Sequence, residues 1–134
     1  MSRSQASPFQ ERLVSRLAGR VPTTVEDPLL ARAAVALVVV PDPDALLLIR
    51  RAERPGDPWS GQMGLPGGRS SPADAGLLET AIRETREEVG ISLLREELVG
   101  PLDDVAPRSP HLPPLMVRPF LFIARPGRRD ALDG

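Results

Sequence analysis

A layered α+β fold is what the sequence predicts, and three features carry that reading. Residues 33–40 are an unbroken apolar run rich in β-branched side chains, the pattern of a strand buried on both faces. Residues 115–124 make a second strong strand. Between them, residues 72–88 repeat apolar side chains at helical spacing. Strands around one central helix, with a second short helix at one end, pack as layers.

In chain order, residues 8–17 place Phe9, Leu13, Val14 and Leu17 at helical spacing, and residues 21–27 connect onward. After the 33–40 strand, Pro41-Asp42-Pro43-Asp44 is a turn, and residues 45–51 read as the return strand of a hairpin. Residues 52–61 are loop-like, residues 62–65 a short extended piece, and Pro66-Gly67-Gly68 a turn that opens a polar loop.

The central helix has strong start signals. Ser71 is a natural N-cap, Pro72 suits the first helical position, and Asp74 stands three residues after Ser71 as in a capping box. Leu78, Ala81, Ile82, Thr85 and Val89 form the expected buried stripe, and Gly90 suits the position just past the helix. Residues 97–105 read as another strand and 106–114 as a proline-rich loop. Pro119 assigns the 115–124 strand to an edge or a bulge.

Composition narrows the function classes. A chain of 134 residues with 41% hydrophobic content holds one domain with a sizeable core. About residues 1–30 read as an N-terminal extension and 125–134 as a loose tail. A net charge of −1 gives no bulk electrostatic case for nucleic acid or an anionic membrane. One Trp, three Phe and no Tyr leave little to stack on single-stranded bases. Without cysteine there is neither a disulfide framework nor thiolate chemistry. The polar N-terminus lacks a signal-peptide core, and the longest apolar run is too short for a bilayer. The expectation is a cytoplasmic protein.

The central helix is poorly designed for plain water. Glu84, Glu87 and Glu88 fall within one arc of about 100°. Glu84 and Glu88 are a like-charge i,i+4 pair, and all three lie near the helix C-terminus, where the macrodipole is already negative. A hard divalent cation with oxygen ligands reverses the sign of that cost. Three glutamates alone are also compatible with a solvated helix face, so the preceding Gly67-Gly68, which let a backbone approach a ligand closely, matter to the choice.

The run Arg83-Glu84-Thr85-Arg86-Glu87-Glu88-Val89-Gly90-Ile91 resembles the core of the Nudix box. That pattern reads Gly, five residues, Glu, seven residues, Arg-Glu, an aliphatic, any residue, Glu-Glu, any residue, Gly, an aliphatic. Two positions depart from it. Thr85 stands at the usual aliphatic, and the upstream glutamate falls on Ala75, with the glycine one residue early at Gly68. The stretch Gly61-Gln62-Met63-Gly64-Leu65-Pro66-Gly67-Gly68 resembles the lead-in of the coenzyme A pyrophosphatase branch, with Leu65 in place of a Phe and Trp59-Ser60 where that branch often has a His.

The resemblance implies a Nudix-type α/β/α sandwich with a mixed sheet and hydrolysis of a nucleoside diphosphate linked to a group X, coenzyme A first among candidates. The alternatives are ADP-ribose or another nucleotide by the same mechanism, or a nucleotide-binding module that does not cleave. It implies Mg2+ or Mn2+ as cofactor, with Glu84, Glu87 and Glu88 as ligands, one of them a candidate base, and the Gly68 carbonyl as a further ligand. Arg83 orients a neighbouring glutamate, and Glu79 or Asp74 takes the part of the missing upstream acid in bracing it. Arg50, Arg51, Gly67 and Gly68 are the substrate-binding candidates. Arg54, Trp59, Asp103, Asp104 and His111 are weighed against ordinary surface, core, turn and bystander roles. Nudix domains usually continue past the strand corresponding to 115–124 with a further strand and helix. Either those are lacking here, or a partner such as a second copy supplies them.

Overall fold

The computed structural model describes residues 6–50, 55–56, 61–106 and 114–128. Helix α1 spans Pro8–Leu17 and strand β1 Ala31–Val40, followed by β2 (Ala45–Leu46), β3 (Ile49–Arg50), β4 (Met63–Gly64) and β5 (Gly67–Arg69). Helix α2 covers Leu77–Val89, a 3-10 turn Arg95–Glu97, and strands β6 (Leu98–Pro101) and β7 (Leu115–Ile123) complete the set. The main sheet runs β2-β1-β7-β6, with β5 also on β1, while β3 and β4 form a separate two-stranded ribbon. β1 and β7 are parallel, from Ala31 opposite Leu115 to Val39 opposite Ile123, and the other pairs are antiparallel. The sheet is therefore mixed, as expected, and no described helix is long and apolar enough to cross a membrane.

The core lies between α2 and one face of the sheet. Ala34, Ala36, Val38 and Val40 of β1 share it with Met116, Phe120 and Phe122 of β7 and Leu77 and Ala81 of α2. Ala34, Ala36 and Ala81 are fully buried. Methyl-sized side chains on both surfaces let the helix ride close to β1, and that approach sets where its carboxylates fall.

Several expected boundaries move. The return strand over 45–51 pairs with β1 at Ala45 and Leu46, with the Leu47 N–H still donating to the Val38 carbonyl at 3.0 Å, and Ile49–Arg50 turns away to join β4. The reason is occupancy: β5 takes the same edge of β1 from Ala33 to Val35, and the Ala36 N–H donates to the Pro66 carbonyl at 2.9 Å. The expected Pro66-Gly67-Gly68 turn is thus a strand entry, and neither Gly67 nor Gly68 has a positive φ. The strand expected over 97–105 is cut to Leu98–Pro101, with Val105 left as an isolated bridge to Val117.

Strand β7 is interior rather than an edge. Pro119 is tolerated because its carbonyl accepts from the Leu102 N–H at 2.8 Å, on the β6 side. A residue in a strand directs N–H and C=O to the same side, so the missing donor falls where β6 has already ended. The irregularity is in β6, between Leu98 and Gly100.

Helix α2 starts at Leu77, behind an N-cap at Gly76, rather than at 72. Ser71 and Asp74 do bond as a capping pair: the Ser71 N–H donates to Asp74 Oδ2 and the Asp74 N–H to the Ser71 carbonyl, each at 2.9 Å. They close one turn and stop, because Asp74 is drawn to α2 side chains described below. The buried stripe of α2 includes Leu77 and Thr80 besides Ala81 and Thr85, while Leu78, Ile82 and Val89 pack at its margin. Gly90 ends the helix in the left-handed region at φ 75°, its N–H donating to the Arg86 carbonyl.

Carboxylates also hold the periphery. Asp44 accepts from the Ser7 hydroxyl and from Gln10 Nε2, docking α1, whose buried point is Gln10 while Phe9 and Val14 stay exposed. Glu97, buried, accepts from the Leu94 and Arg125 N–H groups and from Arg128. Asp103 accepts from the Thr23 N–H, and Asp104, whose side chain is fully buried, accepts from the Val25 N–H and from Arg118 Nε and Nη2. These two aspartates strap residues 20–25 to the sheet. Burial pushes the Asp104 carboxyl up, but bonds from Arg118 and Val25 outweigh it and leave it below the ordinary range.

Removing one partner of a buried pair strands the other, so Asp104→Ala is expected to lower unfolding stability by about 3 kcal/mol, with little effect from Asp103→Ala. A depressed folded pKa stabilises above the unfolded value of about 3.9 and ceases to do so as pH falls through the folded one. The gap between wild type and Asp104→Ala in urea unfolding should therefore be full at pH 6 and shrink steadily below pH 4.

Candidate active site

One guanidinium organises the exposed end of α2. Arg83 Nε and Nη2 donate to the two oxygens of Asp74 at 2.9 and 3.0 Å, a bidentate fork. Arg83 Nη1 donates to Glu84 Oε1 at 2.8 Å and to Glu87 Oε2 at 3.2 Å, and Nη2 also reaches the Arg69 carbonyl at 3.2 Å. The three acids form a gradient of access: the Asp74 side chain is 6% exposed, Glu84 19% and Glu87 52%. Asp74 is the buried anchor, and the glutamates present oxygens outward.

Asp74 is held ionised. The Arg83 fork is the largest cause and the Ser71 N–H the next, followed against burial by the Thr80 hydroxyl, and together they keep its carboxyl far below the usual range. The same fork raises the Arg83 guanidinium further above its already high value.

Strand β5 supplies the other wall. The Gly67 N–H donates to Glu88 Oε2 at 3.3 Å. A Cβ on Gly68 would stand 2.6 Å from both Cδ and Oε2 of Glu84, so the glycine lets that carboxylate lie against the β5 backbone. A Cβ on Gly67 would stand 2.3 Å from the Ala34 carbonyl oxygen and 2.7 Å from Val35 Cα, both backbone.

Glu84, Glu87, Glu88, Arg83, Gly67, Gly68 and Asp74 are therefore brought together. Glu79 is not: it pairs with Arg95, so of the two expected alternatives Asp74 is the one bonded to Arg83. Arg50 lies exposed on β3 opposite Met63, in the small ribbon. Arg51, Arg54, Trp59 and His111 lie outside the described residues. Sequence reasoning missed Thr80, whose only signal was a β-branched hydroxyl residue inside a helix.

Among the described residues no three acidic side chains meet at one point. Their oxygens are shared out between Arg83 and the Gly67 N–H. Hard oxygen donors on one helical arc, with the Glu84 carboxylate brought close to the Gly68 backbone, nevertheless fit a divalent cation of the magnesium type.

A family model described as NUDIX domain matches residues 30–129. The Schizosaccharomyces pombe protein C14C4.10c is 45% identical over 82 residues, which cover 58% of this chain and 25% of that protein. The Homo sapiens mitochondrial coenzyme A diphosphatase NUDT8 is 40% identical over 82 residues, covering 58% of this chain and 35% of the relative. The chain thus spans about a third or less of the length of these relatives. The crystal structure of a MutT/nudix family protein from Enterococcus faecalis superposes with a TM-score of 0.60 at 21% identity, over 88% of this chain and 44% of that one, and shows the same fold.

The two glycines are expected to fail differently. Gly67→Ala forces backbone apart and should cost about 2 kcal/mol in urea unfolding. Gly68→Ala displaces only the flexible end of Glu84, so stability should hold while manganese uptake, read by calorimetry, falls. Asp74→Asn should weaken that uptake about 10- to 100-fold, and Glu79→Gln should not.

Proposed function

The chain belongs to the NUDIX family, and on that premise we propose that it is a divalent-metal-dependent pyrophosphohydrolase, splitting the diphosphate of a nucleotide linked to a group X, with coenzyme A the favoured substrate. The observation that carries the reading is the Arg83 cluster, in which one cation holds Glu84 and Glu87 side by side while the Glu84 carboxylate lies directly against the Gly68 backbone. A protein without catalysis has no need to concentrate carboxylates at the negative end of a helix. Coenzyme A is supported by the Gln62-to-Gly68 lead-in and by the relative named as a coenzyme A diphosphatase.

In this proposal Glu84, Glu87 and Glu88, with the Gly68 carbonyl, hold Mg2+ or Mn2+. Such an ion, when bound, neutralises charge on the diphosphate and lowers the pKa of a coordinated water. The protein's own part is orientation. Asp74 fixes the plane of the Arg83 guanidinium, and Arg83 takes one oxygen from each of Glu84 and Glu87, so their outward oxygens keep a constant separation. Arg83 also offsets part of the repulsion between those carboxylates, so Glu84 and Glu87 stay near one another with no cation bound. Gly67 and Gly68 of β5, together with Arg50 and Arg51, are proposed to meet the phosphate oxygens of the diphosphate.

A panel comprising coenzyme A, ADP-ribose and a dinucleoside polyphosphate, assayed with magnesium and with manganese, tests the reading. The expected products are two phosphate monoesters from coenzyme A, identified by mass. Glu87→Gln should lower kcat on the order of 100-fold. Turnover of ADP-ribose alone would move X to the second candidate, and no turnover of any member with unchanged binding would favour a sensing module.

A further inference from the structure

We infer that Thr80 is a positioning residue of the carboxylate site: its buried hydroxyl pins Asp74, and through Asp74 the guanidinium that gathers Glu84 and Glu87. The inference rests in part on the metal-dependent reading above.

Thr80 is fully buried in the first turns of α2. Its Oγ1 lies 2.8 Å from Asp74 Oδ2 and 3.2 Å from the Gly76 carbonyl. A hydroxyl has one proton, and an ionised carboxylate only accepts, so the proton belongs to the shorter contact with Asp74. The Gly76 carbonyl already receives the Thr80 N–H at 3.1 Å.

Thr85 gives the internal contrast. It too is fully buried on α2, but its Oγ1 donates back to the Ala81 carbonyl at 2.8 Å, the common fate of a hydroxyl inside a helix. Thr80 spends its proton outside the helix ladder, on the anchor of the site. Asp74 Oδ2 collects the Ser71 N–H at 2.9 Å, Thr80 Oγ1 at 2.8 Å and Arg83 Nη2 at 3.0 Å, while Oδ1 takes Arg83 Nε. A bidentate fork demands that carboxylate and guanidinium stay coplanar. The Thr80 donor fixes that plane from the helix side, and the Ser71 N–H alone leaves the carboxylate free to swing. Arg83 would then keep its attraction to Asp74 but lose its fixed aim at Glu84 and Glu87.

The test compares Thr80→Val, which keeps shape and loses the donor, with Thr80→Ser, which keeps the donor, and Thr85→Val as the control. Two measurements on the full chain without substrate are read: solvent exchange of the Arg83 Nε–H by NMR in metal-free protein, and manganese uptake by calorimetry. Thr80→Val is expected to speed exchange several-fold and to weaken uptake about tenfold, while Thr80→Ser and Thr85→Val match wild type. Unchanged exchange in Thr80→Val overturns the inference. So does a serine variant that behaves like valine, which would place the effect in the methyl group, or an equal loss in Thr85→Val. If even wild type takes up no manganese, the proposed metal-dependent function falls, and the exchange rates alone decide the role of Thr80. Should the valine variant not fold, Thr80→Ala is read by the same two measurements.

Discussion

The bond between Arg83 and Asp74 is the constraint on which the site depends. Glu84, Glu87 and Glu88 repel one another and the helix C-terminus, so their side chains left alone would spread into solvent. Arg83 reverses that by holding two of them with one arm while Asp74 holds its other side. Asp74 comes from outside α2, in the turn before it, so the cluster is cross-braced between loop and helix rather than stacked along one element. A guanidinium suits this post because its fork is planar and charged at every relevant pH, so it can serve three acids in fixed directions.

The brace works only because the elements beneath it are close. Ala34 and Ala36 on β1 face Ala81 on α2, all fully buried, and β5 fits against the same stretch of β1 through Gly67. Larger residues at these positions would lift α2 from the sheet, and Glu84 would no longer lie against Gly68. Packing and chemistry thus use the same small residues. The remaining carboxylates, Asp44, Asp103, Asp104 and Glu97, do a different job: each ties a chain segment with no regular strand pairing to the body of the fold.

Much of this was legible in the residues. The strands 33–40 and 115–124, the central helix, its αL glycine and the grouping of Glu84, Glu87, Glu88 and Arg83 follow from periodicity and spacing that one helix enforces on its own. The ambiguity between Glu79 and Asp74 as the brace was not resolvable in the same way. Glu79 has the better spacing along a helix, four residues before Arg83. It loses because Arg95 is within reach of it, and because Asp74 lies in a turn that packs beside α2, which no linear rule reports. The helix start was misplaced for the same cause: Ser71 and Asp74 carry sound capping chemistry, but the aspartate is claimed by Arg83 and Thr80.

What the sequence by itself determined is local: which segments are helical or extended, where α2 ends, and which carboxylates share its arc. These depend on a period of a few residues and on backbone geometry at single positions. The tertiary structure decided what depends on competition between distant groups. It gave β1's edge to β5 instead of the full return strand, put Pro119 inside the sheet at the point where β6 ends, and chose Asp74 over Glu79. Each of these is a choice between partners for one hydrogen-bonding edge or one cation, and such choices are settled only when the chain has folded and the competitors stand at their final distances.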